Sequence, residues 1–60
     1  MKTIRLQTDR GPYPVAIVPD WMVGGFEAQW DDENGWHRLH DDKRAELVRR
    51  VRDQINRLGS

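Results

Sequence analysis

Trp30-Asp31-Asp32-Glu33-Asn34-Gly35-Trp36-His37-Arg38-Leu39, residues 30–39, decides the fold, because Asn-Gly between two such runs is the strongest short-range hairpin signal in the chain. A two-residue Asn34-Gly35 turn pairs Glu33 with Trp36, Asp32 with His37, Asp31 with Arg38 and Trp30 with Leu39. Side chains alternate between faces along a strand. This register therefore puts Trp30 and Leu39 on one face, and Trp36, Arg38 and Gln29 on the other. A five-residue loop from Asp31 to Gly35 would instead set Trp30 opposite Trp36 on a shared face. The shorter turn is preferred, because it also places the Asp31 carboxylate against Arg38. On that reading Trp30 packs inward and Trp36 is exposed.

Upstream, Lys2 to Thr8 alternates Ile4 and Leu6 with polar residues, and Tyr13 to Val18 is apolar and β-branched, with Asp9-Arg10-Gly11-Pro12 between them. A symmetric four-residue loop pairs Thr8 with Tyr13, Leu6 with Val15 and Ile4 with Ile17. Pro14 lacks an N–H, so its nitrogen is expected to face away from a partner strand or to sit at an edge or bulge. Pro19-Asp20 ends the strand. The following Trp21-Met22-Val23-Gly24-Gly25 has no alternation and reads as a connection. Its apolar side chains fit either a lid folded over one end of the core, the favoured reading, or a contact loop.

Downstream, Asp41 or Asp42 is placed to N-cap a helix. From Lys43 onward Leu47, Val48, Val51, Ile55 and Leu58 form one apolar stripe at helical spacing, and Gly59 supplies the stop. Arg44 is spaced to lean out over the sheet edge toward Asp41. Glu46 with Arg50 and Asp53 with Arg57 make i,i+4 pairs on one flank. Arg49, Arg52 and Asn56 line the other, where a solvated face competes with a docking strip for an acidic partner or a phosphate backbone. The whole, residues 1–60, reads as a single small α+β domain: two hairpins forming an antiparallel sheet of three or four strands, with the C-terminal amphipathic helix on one face.

The size limits what this domain can enclose. Sixty residues remove only about 60% of their unfolded surface from water, and a tryptophan buries roughly 150–250 Å². Three tryptophans therefore crowd the core, and at least one is expected at the surface. Without cysteine there is no disulfide framework or thiolate zinc site, and a bacterial or phage cytoplasmic setting fits. The longest apolar run, Val15 to Val18, is too short to span a bilayer, and the N-terminus lacks a signal-peptide core, so no membrane partner is expected.

Ten basic and ten acidic residues cancel, which weighs against a general polyanion binder. The signs nevertheless segregate, with acids gathered in residues 31–42 and bases in 43–60, an arrangement the helix dipole also favours.

No constellation of reactive groups points to an enzyme. His37 and His40 stand three apart on a strand and so face opposite ways, which argues against a shared metal. Asp31-Asp32-Glu33-Asn34-Gly35 lacks the order of a calcium loop. There is no cysteine nucleophile, Ser60 is terminal, and the carboxylates lie on a turn where water keeps them ionised. No catalytic residue, metal or cofactor is expected.

The function read from these residues is a small non-enzymatic protein-binding module, an inhibitor or adaptor of bacterial or phage origin. Trp36, Arg38, Trp21, Arg49 and Arg52 are its candidate partner-binding residues, since Trp and Arg are enriched at binding hot spots. The alternative is a small nucleic-acid-binding or antitoxin-like regulator, in which Trp36 stacks and Arg38, Arg49 and Arg52 hold phosphates. Homodimerisation through an edge strand or helix face is compatible with either.

The strand ending Val18-Pro19-Asp20, the glycines at 24 and 25, and the C-terminal amphipathic helix resemble the layout of the partial double-stranded-RNA-binding-type fold of HicB antitoxins. The Trp30 to Trp36 hairpin and the lack of a Gly/Thr-rich approach to the helix depart from that pattern. A regulatory role is what the resemblance implies.

Overall fold

A computed structural model describes the backbone of residues 3–58 and the side chains through Arg57. Four strands, β1 (Thr3–Thr8), β2 (Gly11–Pro19), β3 (Phe26–Asp32) and β4 (Gly35–Asp41), form an antiparallel meander in the order β1-β2-β3-β4, and α1 (Arg44–Leu58) follows. The helix covers one face, as the α+β reading requires. Gly59, the expected stop, and the side chain of Leu58 lie outside the described residues.

Both hairpins close with a register different from the expected one. The first pairs Thr8 with Gly11, Leu6 with Tyr13 and Ile4 with Val15, around an Asp9-Arg10 turn. The second pairs Asp32 with Gly35, Asp31 with Trp36 and Trp30 with His37, around Glu33-Asn34. The reason is the same in both. An Asn34-Gly35 turn of the type I′ kind needs positive φ at Asn34, whereas every described residue with positive φ is a glycine. Gly35, with φ of 111°, instead opens the returning strand, and Gly11, with φ of 87°, does so in the first hairpin.

Polar side chains at the turn entries secure this arrangement. Asp32 Oδ1 accepts the Asn34 amide at 2.8 Å, and Thr8 Oγ1 accepts the Arg10 amide at 3.0 Å while donating to the Gly11 carbonyl at 2.9 Å. Each correction moves the partner by two residues, so it leaves the faces unchanged. Trp30 and Leu39 still face the helix, and Trp36, Arg38 and Gln29 still face away. The Asp31–Arg38 pair does not form; Arg38 Nε lies 3.2 Å from Glu27 instead.

Between the hairpins the ladder is short, running only from Ala16↔Gln29 to Pro19↔Phe26. Continued by one more bonded pair, it would set Pro14 opposite Asp31, and Pro14 has no N–H to donate. There β2 and β3 part. Arg10 and Glu33 clasp the two turns across the opening.

The core is Leu6, Val15, Ile17, Ala28 and Trp30 from the sheet against Leu47, Val51 and Ile55 from the helix, with Ile4, Tyr13, Phe26, Leu39 and Val48 around it. Burying each larger apolar side chain contributes about 1.5–3 kcal/mol. The helix entry differs from expectation. Lys43 accepts the Leu47 amide and so occupies the cap position, while Asp41 Oδ1 accepts the Lys43 amide at 3.0 Å and braces the turn before it. Arg50, rather than Arg44, reaches Asp41 at 3.1 Å, and Arg49, expected on the opposite flank, takes both Glu46 and Asp53, at 2.8 and 3.4 Å, because i,i+3 and i,i+4 spacing brings it beside them.

Candidate interaction surface

The segment 20–25 projects its apolar residues away from the core. Trp21 is 90% exposed and Met22 96%, with Val23 also exposed. The lid reading is therefore corrected: the three side chains cover nothing. The backbone beneath them is nevertheless pinned. Asp20 Oδ1 accepts the Met22 and Val23 amides at 3.0 and 3.1 Å. The Gly24 amide donates to the Asp20 carbonyl at 2.9 Å, and the Asp20 amide to the Gly25 carbonyl at 3.0 Å. From β4, His40 Nε2 bonds the Gly24 carbonyl at 2.8 Å.

Two glycines make this path available. Gly24 and Gly25 have φ of 87° and 76°, and a Cβ at Gly25 would lie 2.6 Å from the Asp41 carbonyl oxygen. The tip is thus seated against the chain entering the helix. The Val23 and Met22 amides hold the Asp20 carboxyl below its usual pKa range, with help from nearby His40 and against the effect of desolvation. The pinning was readable in principle, since Asp20 stands two and three residues before free amides and just ahead of a glycine pair.

A second surface lies on the outer sheet face. Trp36, 62% exposed, walls a shallow depression of about 230 Å³ with Thr3, Pro14, Ala16, Gln29 and Asp31, where β2 and β3 part. Arg38 shares this face. Trp36 pairs with Asp31 near the turn of the second hairpin, whereas the 20–25 tip adjoins the opposite end of β3 and β4. Five residues of strand separate them, roughly 17 Å.

The helix candidates belong to neither region. Arg49 is shared between Glu46 and Asp53, and Arg52 Nε donates to the Gln7 carbonyl at 2.9 Å. Glu46, then Asp53, strengthens the proton hold of the Arg49 guanidinium. Thus Trp36 and Arg38 come together, Trp21 stands apart at one end, and Arg49 and Arg52 lie on the helix layer.

The two histidines point to opposite faces. His37 stacks on Trp30 with ring centroids 5.3 Å apart, and its Nε2 lies 2.9 Å from Asp32 Oδ1. The Asp32 side chain is only 1% exposed, and burial alone pushes its carboxyl up. The bonds from His37 and the Asn34 amide, with the neighbouring Trp30 N–H, outweigh that and hold it down. Among the described residues no group of three metal-ligating side chains converges, and no helix is long and apolar enough to cross a membrane.

Comparison with protein-family models, curated proteins and solved structures returns no match. Fold and surface together describe a small antiparallel α+β domain that carries an exposed apolar tip on a hydrogen-bonded loop. Sequence reasoning placed Trp36 at the surface, but it favoured a buried lid for Trp21 and missed the hydrogen bonds that hold the tip.

Proposed function

We propose that this chain is a small non-enzymatic protein-binding module, an inhibitor or adaptor of bacterial or phage origin acting in the cytoplasm. Its Trp21-Met22-Val23 tip is the anchor. The observation that carries this reading is a nearly fully exposed Trp-Met pair on a hydrogen-bonded loop. Exposed apolar area concentrated at one point is a characteristic of interaction sites. A backbone already held in one shape loses little conformational freedom on binding, and tryptophan is prominent among hot-spot residues. The convex tip fits a concave apolar pocket on a folded partner.

The nucleic-acid alternative is weaker, because Arg49 is already paired with carboxylates, Arg52 is held on a backbone carbonyl, and the net charge is zero. The test is affinity capture from lysate of the source organism, with nuclease, using the wild type and the Trp21→Ala/Met22→Ser double variant. The expected result is a stoichiometric protein held by the wild type and lost with the variant, whose unfolding midpoint is unchanged. Nuclease-sensitive capture, or equal capture by both chains, would refute the reading.

A further inference from the structure

We infer that β4 pairs antiparallel with β4 of a second copy of this chain, about a two-fold axis at His37, to give a continuous eight-stranded sheet. The inference goes beyond the tip and rests on the sheet edges.

Backbone groups of successive residues in a strand point alternately to its two sides. The Asp31 carbonyl points toward β2, where it accepts the Tyr13 hydroxyl at 2.9 Å. Gln29 and Glu27 point the same way. Their partners on β4, namely Trp36, Arg38 and His40, therefore turn their N–H and C=O groups to the outer edge. The His40 carbonyl agrees, since it accepts Arg50 Nη1 at 3.1 Å. Arg50 thus plugs the helix-proximal end of the edge. The open stretch is Trp36 to Arg38, beyond which no further strand lies among the described residues.

One symmetric register uses this opening fully. With the axis at His37, Trp36 faces Arg38 of the second copy and Arg38 faces its Trp36, giving four backbone hydrogen bonds. Both side chains lie on the outer sheet face, so each Arg38 guanidinium, held at Nε by Glu27 at 3.2 Å and still 66% exposed, can present its remaining surface to the facing indole. His40 would fall opposite the Glu33-Asn34 turn of the second copy, so Arg50 does not obstruct the pairing. An axis at Arg38 would instead bring Trp36 against the plugged His40. At the axis the two His37 rings turn to the helix face, each held by its own Asp32 at 2.9 Å.

The other edge is less suited. On β1, Arg52 takes the Gln7 carbonyl and Asn56 accepts the Asp9 amide at 2.8 Å, which leaves Thr3 and Arg5. Pairing there would set threonine against arginine, with little apolar area to bury. Unpaired edges are ordinarily covered or blunted. Here the helix arginines close one end of each edge and leave the Trp36 end of β4 open.

The ladder engages only Trp36 to Arg38 of each copy, against roughly 20–30 residues a side in standard interfaces, so a weak dimer is expected, dissociating in about the 10 µM to 1 mM range. Sedimentation equilibrium on the full chain across that range tests it. The wild type should rise from 7.1 kDa toward twice that mass. Arg38→Pro removes an outward N–H that β3 does not use and should weaken association about tenfold or more. Trp36→Ala should weaken it severalfold with the fold intact by circular dichroism. Trp21→Ala/Met22→Ser should leave it unchanged, which separates this dimer from the tip-binding reading. A monomer at 1 mM, association insensitive to both β4 variants, loss with the tip variant, or loss with Arg5→Pro alone would each overturn the inference.

Discussion

The Tyr13 hydroxyl donates to the Asp31 carbonyl at 2.9 Å where the strand register would otherwise bring Pro14 opposite Asp31. A phenol thus replaces the amide hydrogen that proline lacks. It lets β2 and β3 part without leaving the carbonyl bare. Tyr13→Phe should cost about 1 kcal/mol in urea unfolding, the usual net worth of one hydrogen bond. Burial, and then the Asp32 charge, raise the Tyr13 pKa above 10.0. The protonated phenol is therefore favoured by folding, and its contribution is present below pH 10 and lost as pH rises through the folded pKa. The Phe variant should lose less stability than the wild type on that alkaline limb.

Trp30 and Trp36 differ in their surroundings. Trp30 is 2% exposed, between the sheet and α1, so Trp30→Ala should cost ~3–5 kcal/mol. Trp36→Ala should cost less than about 1 kcal/mol, as surface changes do. Equal large losses in chemical denaturation would show that both indoles are structural.

Gly25 and Gly24 share positive φ but not surroundings. Gly25→Ala would drive a methyl to 2.6 Å from the Asp41 carbonyl and 2.8 Å from the Asp42 Cα, whereas Gly24→Ala would meet open space. The first should cost at least about 2 kcal/mol, the second about 1 kcal/mol from backbone strain alone. Only the first should unseat the tip, seen as faster amide exchange at Met22 and Val23.

Acid should weaken the fold through three aspartates. Asp20, Asp32 and Asp41 all lie below their ordinary pKa of 3.8. For Asp41 the Lys43 amide is the main cause, with burial opposing and Arg50 assisting. A carboxyl depressed by folding lends stability that is full above its unfolded pKa and drains as pH falls through its folded one. Stability should therefore hold above about pH 4 and decline below it. Asp41→Asn should flatten that decline in urea titrations repeated down the acid range.

The amphipathic helix was legible because its stripe follows a period of 3.6 and needs no partner to be recognised. The faces of Trp30, Leu39 and Trp36 were legible for a related reason: a two-residue register change preserves strand parity, so they survive an error in pairing. The pairing itself was not. It depends on which residues adopt positive φ, and that is settled by the turn as a whole rather than by the Asn34-Gly35 pair.

Among the candidate residues, the sequence alone determined which types are rare enough in a 60-residue chain to stand out, and which strand face Trp36 and Arg38 occupy; it set Arg49 on the wrong helix flank, away from the Glu46 and Asp53 it pairs with. Tertiary structure alone decided their employment. Arg52 is drawn to the Gln7 carbonyl, 45 positions away, because an open strand edge has acceptors to satisfy. Asp20 turns Trp21 and Met22 outward because its own carboxylate, with His40 from β4, fixes the loop. Such bonds join residues that no periodicity links, and they exist only once the sheet and helix are in place.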